Sequence, residues 1–278
     1  LHLANLGLTP DEIAEEMKLP ASLASQFNCR GYYGTLSHNV KAQYDLYFGW
    51  FNGNPAHLDP LPPSELGAKY VEAIGGADKV LEVAKTSYAK GEYRWVATLL
   101  DNLVFAEPEN KEARQLLADT YTQLGYQAES GPWRNFYLTG AQDLFKKDVP
   151  YTSRLINDGV LSQMDMGTLL DYCAIQLNGE KAAGKEAVIN INFNDTKEKV
   201  MLMLNNGVLN HRLDSQDEKA DLTLEIAKMD FVKLFFGRTD LPTLRKTNKV
   251  KTTGDTQVMD VIRSAYEPAD ANFKIVLP

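Results

Sequence analysis

The stretch Arg30-Gly31-Tyr32-Tyr33-Gly34-Thr35-Leu36-Ser37-His38-Asn39 sets an arginine beside two tyrosines that are bracketed by glycines. A guanidinium binds a tetrahedral oxyanion such as sulfate or phosphate through a two-pronged, charge-assisted contact, and tyrosine hydroxyls add donors to the same group. The same residue types also suit an arginine that caps a helix carbonyl next to two core-edge aromatics, and the residues leave both readings open. Other chemistries find little support. His2, His38, His57 and His211 form no HxxxH or HxHxDH set, so no zinc-ligand spacing is visible. There is no glycine-rich phosphate loop and no G-x-S-x-G elbow, and Glu15-Glu16 reads as a solvated helix face. Cys29 and Cys173 fall in what read as different domains, which argues against a disulfide or a thiolate metal site and leaves each as a small buried hydrophobe.

The elements that must position these residues change character along the chain. Residues 1–148 read as almost entirely helical. Thr9-Pro10-Asp11-Glu12 carries a capping box with proline at the first helical position, and further helices are expected at 39–51, 64–74 and 77–90. Asn52-Gly53-Asn54-Pro55 and the run Asp59-Pro60-Leu61-Pro62-Pro63 interrupt them as loops. Ala84 and Gly91 recur as Ala118 and Gly125, with Val83 matched by Leu117, a tetratricopeptide-like spacing in which glycine ends the first helix of a pair. Two unrelated amphipathic hairpins would look much the same. Too few repeats are present for a free-standing solenoid, so dimerisation is the natural way to cover the remaining apolar face.

Beyond Lys147-Asp148-Val149-Pro150 the composition shifts. A helix is expected at 162–177, with Met164, Leu169, Leu170, Cys173 and Leu177 on its apolar side and Gly179 as its stop. Ile189, Ile191 and Phe193 then alternate with Asn190, Asn192 and Asn194, as in a strand with one buried face. Asn205-Asn206-Gly207 signals a hairpin. A strand at 220–226, helices at 230–236 and 256–266, and a last strand at 272–277 complete an α+β unit with a largely antiparallel sheet.

Composition agrees with two ordinary domains. The chain has 278 residues, 44% of them hydrophobic and 24% charged, and its longest apolar stretches are too short to span a bilayer. A formal net charge of -8 repels phosphate backbones. Leu6-Gly7-Leu8-Thr9-Pro10-Asp11-Glu12-Ile13-Ala14 looks like the start of a helix-turn-helix, yet the second helix would offer only Gln26 to a base edge, so no nucleic-acid partner is expected. Most of the excess negative charge lies before residue 149. Leu1, Leu3, Ala4 and Leu6 read as the tail of a helix already under way, and the chain as a piece of a longer protein.

Longer motifs carry a resemblance. Arg30-Gly31-Tyr32-Tyr33-Gly34 with Leu36 and His38-Asn39-Val40, then Gly49-Trp50-Phe51-Asn52-Gly53-Asn54-Pro55, Gly75-Gly76-Ala77, Tyr93-Arg94-Trp95-Val96 and Gly125-Tyr126-Gln127-Ala128-Glu129-Ser130-Gly131-Pro132-Trp133-Arg134, closely resemble the alkyl sulfatases of the metallo-β-lactamase superfamily. Ala220-Asp221-Leu222-Thr223-Leu224, Asp230-Phe231 and Gly254-Asp255 resemble that family's carboxy-terminal domain of the sterol-carrier-protein-2 type. The resemblance implies an all-α, tetratricopeptide-like dimerisation domain at 1–148 and an α+β sterol-carrier-protein-2-like domain at 149–278.

It also implies a homodimer, an alkyl sulfate or other anionic amphiphile as substrate, and a periplasmic or secreted location, the alternatives being a stand-alone lipid or surfactant carrier and a pure assembly module. Two zinc ions would be held by an upstream metallo-β-lactamase domain, with no metal ligand expected in this chain. The site residues it implies are Arg30 facing the sulfate, with Tyr32, Tyr33, Asn39 and Tyr44 shaping the pocket. Met164, Met201, Met203, Phe231 and Phe235 would line an apolar tunnel for the alkyl chain, although a packed core has the same composition. Arg238, Arg245, Lys246, Lys249 and Lys251 form a locally basic cluster open to an anionic surfactant or to plain solvation.

Overall fold

The computed structural model describes residues 1–147, 157–270 and 272–278. Contacts divide the chain into two compact units, Leu1–Val149 with Phe273–Pro278, and Pro150–Asn272. The boundary predicted between Asp148 and Val149 lies outside the described residues.

The first unit is helical: α1 (His2–Asn5), α2 (Pro10–Glu16), α3 (Ala21–Ala24), α4 (Leu36–Phe48), α5 (Pro63–Ile74), α6 (Ala77–Ala89), α7 (Tyr93–Ala106), α8 (Lys111–Gln127) and α9 (Gly131–Asp143). The predicted capping box starts α2. The Thr9 hydroxyl accepts from the Glu12 amide, and the Glu12 carboxylate accepts from the Thr9 amide at 2.8 Å, which holds that carboxyl below its usual range. Helix α4 begins at Leu36, ahead of the predicted 39, because Thr35 caps it by accepting from the His38 amide at 2.9 Å.

Apolar sides of α5 to α8 meet in one cluster that includes Val71, Val80, Leu100, Leu103 and Leu117. Burying each such side chain is worth about 1.5–3 kcal/mol. The strand predicted at 272–277 does not form: Phe273 and Ile275 stay exposed, while Val276 and Leu277 pack into this helical cluster. An alternating pattern is only a strand where a sheet edge accepts it, and here burial against helices wins.

Glycines carry two separate jobs in this unit. Gly91 has φ +78 and follows the end of α6, as expected, whereas Gly125 lies buried inside α8 with Leu138 of α9 against it. The positions matched by the 34-residue spacing therefore differ in conformation. At Gly67 the backbones of α5 and α7 approach so closely that a Cβ would lie 2.4 Å from the Asn102 carbonyl oxygen.

In the second unit α10 (Asp158–Gln163), α11 (Met166–Ala174) and α12 (Gly179–Ala182) precede β1 (Ala187–Phe193), β2 (Lys199–Asn205), β3 (Val208–Leu213) and β4 (Leu222–Ile226). Then come α13 (Lys228–Phe235), α14 (Leu241–Lys246), β5 (Val250–Gly254) and α15 (Gln257–Ala265). The sheet order is β3-β2-β1-β4-β5, antiparallel except for the β1–β4 pair. Asn206 and Gly207, at φ +50 and +75, make the tight turn between β2 and β3.

Two local rules alter the predicted elements. The helix expected at 162–177 is split, because Asp165 leaves the helix and caps α11, accepting from the Thr168 amide at 2.9 Å and its hydroxyl at 2.7 Å. Gly179 opens α12 behind the Asn178 cap and does not end a helix. Strand β5 and helix α14 carry too few alternating or periodic positions to stand out in the sequence.

Alanine usually stabilises a helix interior relative to glycine by about 1 kcal/mol, but at residue 67 the clash with a backbone oxygen outweighs that gain. Gly67→Ala is expected to lower stability by roughly 1–3 kcal/mol in chemical denaturation. A midpoint equal to or above that of the parent protein would refute the close approach of α5 and α7.

Candidate functional site

The Arg30 loop is built from both ends. A one-turn 3-10 helix, Phe27–Cys29, leads into extended Arg30, and Thr35 caps α4 on the far side. Between them the Gly131 amide donates to the Tyr32 carbonyl at 2.8 Å, and the Ser130 hydroxyl donates to the Tyr33 carbonyl at 2.5 Å. Ser130 is also the cap of α9, accepting from the Trp133 amide, and it is 1% exposed. Loop and helix start are therefore one piece.

Arg30 pairs through Nη2 with the Glu129 carboxylate, and its guanidinium lies 5.3 Å from the centre of the Tyr32 ring. About half of its side chain stays open to solvent. No helix carbonyl accepts from it among the described residues, and Tyr33 is 83% exposed, so the capping-arginine and core-edge-tyrosine arrangement is not the one formed. The guanidinium faces a cleft of about 710 Å³ whose wall includes Lys18, Cys29, Asn39, Glu129 and Trp133.

Asn39 lines this cleft and two neighbours. One, of about 590 Å³, has aromatic walls from Tyr33, Trp133, Phe136 and Tyr137, with His38 at its side. The other, of about 320 Å³, is apolar and contains Tyr44. Of the five residues predicted on the sulfate side, Arg30 and Asn39 thus share one cleft and Tyr32 stacks on the arginine. Tyr33 belongs to the aromatic cleft, and Tyr44 packs against Phe48 with ring centres 4.8 Å apart. The Trp133 indole donates to His38 Nδ1 at 3.2 Å, so the neutral ring carries its proton on Nε2.

Sequence reasoning did not single out Glu129 or Lys18. Glu129 lies in a quoted motif, but nothing local links it to a residue 99 positions earlier.

Candidates for the alkyl side do not converge. Phe231 and Phe235 are 0% and 1% exposed and pack ring against ring in the core of the second unit, with Phe193 beside Phe231 and half-buried Met164 against the same cluster. Val200, Leu202 and Leu204 of β2 join that core, so Met201 and Met203 point to the opposite face of the sheet. The basic cluster is largely partnered: Arg238 with Asp158, Lys249 with Asp230, Lys251 with Glu225, and Arg245 with the Thr252 hydroxyl.

Among the described residues, no three His, Cys, Asp or Glu side chains come together as a metal set, and no helix is long and apolar enough to cross a membrane.

Comparison with known proteins matches residues 9–147 to the alkyl sulfatase dimerisation family and residues 155–278 to the alkyl sulfatase C-terminal family. This chain belongs to the alkyl sulfatases. A linear primary-alkylsulfatase of Pseudomonas sp. is 45% identical over 280 residues, an alignment covering 100% of this chain and 41% of that relative. An alkyl/aryl-sulfatase of Saccharomyces cerevisiae is 38% identical, over 100% of this chain and 43% of that protein. The solved structure of a stereoselective inverting sec-alkylsulfatase from Pseudomonas sp. superposes with a TM-score of 0.94 at 42% identity, over 100% of this chain and 44% of that one. The chain thus spans about two fifths of the length of the curated alkyl sulfatases it matches, and corresponds to their carboxy-terminal part.

The two cysteines of this alkyl sulfatase chain differ sharply. Burial pushes the Cys173 thiol up to about 12, which keeps it neutral and unreactive, while Cys29 is partly exposed on the cleft wall. Iodoacetamide at neutral pH is expected to label one cysteine per folded chain, Cys29, and both after unfolding. Mass spectrometry finding native labelling at Cys173 would contradict its burial.

Proposed function

We propose that this chain is the carboxy-terminal portion of a zinc-dependent alkyl sulfatase that hydrolyses alkyl sulfate esters, of the dodecyl sulfate type, to alcohol and sulfate. Its share of the work is subunit assembly and an arginine that faces the sulfate group. The observation that carries this reading is the half-exposed Arg30 guanidinium at the wall of a large cleft, in a chain whose relatives are alkylsulfatases.

Zinc in this reading belongs to an upstream metallo-β-lactamase domain of the parent protein, where it supplies a water of low pKa. In this reading the chain's own part is binding and orientation. Arg30 binds the sulfate oxygens and stabilises negative charge as the sulfate departs, because a fixed cation needs no reorganisation at that moment. Asn39 holds the ester between the two clefts, a role supported by its lining both of them. The aromatic cleft beyond it suits the alkyl chain better than Phe231 or Phe235, which are packed solid.

In the full-length parent, Arg30→Ala is expected to reduce octyl sulfate turnover by about 10²-fold or more. Unchanged turnover would remove Arg30 from the site. Phe136 is 78% exposed at the aromatic cleft, so truncating it leaves the buried cores untouched. Phe136→Ala should raise KM for decyl sulfate more than for butyl sulfate, and an equal effect on both would place the chain elsewhere.

The helical unit is the proposed homodimer contact. Leu46, Tyr47 and Trp50 are each 60–72% exposed, more apolar area than a solvated helix end needs. Sedimentation of the full-length parent at micromolar concentration is expected to give a dimer, and a monomer would count against assembly through this unit.

A further inference from the structure

We propose that Glu129 sets the charge class of the anion accepted beside Arg30, favouring a singly charged sulfate monoester over a doubly charged phosphate monoester. The proposal rests on the reading of Arg30 as the sulfate-facing group.

Sulfate and phosphate monoesters have the same tetrahedral shape and similar oxygens, so hydrogen-bond donors alone separate them poorly. Charge separates them well. A sulfate monoester carries one negative charge throughout the working pH range, whereas a phosphate monoester loses its second proton near pH 6 and carries nearly two above it. The cleft is lined by two cations, Lys18 and Arg30, and one anion, Glu129. Together they leave a single positive charge for the ligand.

The carboxylate of Glu129 sits against Arg30 Nη2, while Nε and Nη1 have no protein partner among the described residues. An incoming anion therefore takes the other edge of the guanidinium with the carboxylate still in place, a few ångströms away. The backbone beneath Glu129 is held in place, because the next residue is buried Ser130, whose hydroxyl donates to the Tyr33 carbonyl and accepts from the Trp133 amide. The neighbouring cation Arg134 is turned to the Ala128 carbonyl at 2.9 Å and does not line the cleft. Every additional negative charge on the ligand thus meets Glu129 at short range, and like charges brought together are a general means of rejecting a near-isosteric competitor.

The test uses the full-length parent at about pH 8, with octyl sulfate turnover inhibited either by octyl phosphate, a dianion, or by octyl methyl phosphate, a monoanion with the same chain. In Glu129→Gln the dianion's inhibition constant is expected to fall relative to the monoanion's on the order of tenfold. Glu129→Asp should keep the ratio of the parent enzyme, and Glu129→Ala should move it in the same direction as Gln, which a merely structural role would not do. An unchanged ratio in the Gln and Ala variants, with both inhibitors weakened by Arg30→Ala, overturns the role of Glu129 and leaves the anion site intact. Arg30→Ala with turnover and both inhibition constants unaltered overturns the site itself.

Discussion

One nearly buried hydroxyl joins the two segments on which the candidate site depends. Ser130 accepts from the Trp133 amide, which starts α9, and donates to the Tyr33 carbonyl, which holds the Arg30 loop. Leaving a buried polar group without its partner costs about 1–3 kcal/mol, so loop and helix are fixed together rather than merely adjacent. Everything else in the cleft follows from that tie. It brings Glu129 onto Arg30, sets Trp133 over His38, and makes Asn39 a wall common to the cationic and aromatic clefts.

The consequence is a candidate site whose charged cleft and aromatic cleft share Gly34, Asn39 and Trp133 as a common wall. An amphiphile presents the same division. Arg30 keeps an unpaired edge because Glu129 occupies only one of its nitrogens, and the Tyr32 ring covers its face without competing for hydrogen bonds. Stacking and ion pairing together orient the guanidinium, which in its proposed role would lower the ordering cost of binding an anion.

The second unit is organised by a different constraint, the alternation of its strands. Because successive side chains point to opposite faces, Val200, Leu202 and Leu204 enter the core and Met201 and Met203 cannot. Alternation does not guarantee exposure on the other face. Asn190 is 6% exposed there, with its amide donating to the Asp217 carbonyl at 2.7 Å and its oxygen accepting from the Asp217 amide at 3.0 Å. Lys228 shows the same rule for a cation: it is nearly buried, and its ammonium is satisfied by the Ser162 and Met164 carbonyls where α10 ends. That contact also stabilises the break between α10 and α11, which periodicity alone would have run together.

Local chemistry was legible in the sequence wherever the interacting groups are a few residues apart. The Thr9–Glu12 box, the Asn206-Gly207 turn, the alternation of β1 and the helical character up to residue 143 all belong to this class, since caps, turns and periodicity act over one or two turns of chain. The motifs around Arg30 and Glu129 could be read as kin to the alkyl sulfatases without any knowledge of where they meet. Tertiary structure alone decided that Glu129 lies on Arg30, that Gly125 packs one helix against another instead of ending one, and that Leu277 enters a helical core instead of a sheet. Each of these outcomes is settled by burial and charge between segments tens to hundreds of residues apart, and no spacing along the chain encodes which distant surfaces will meet.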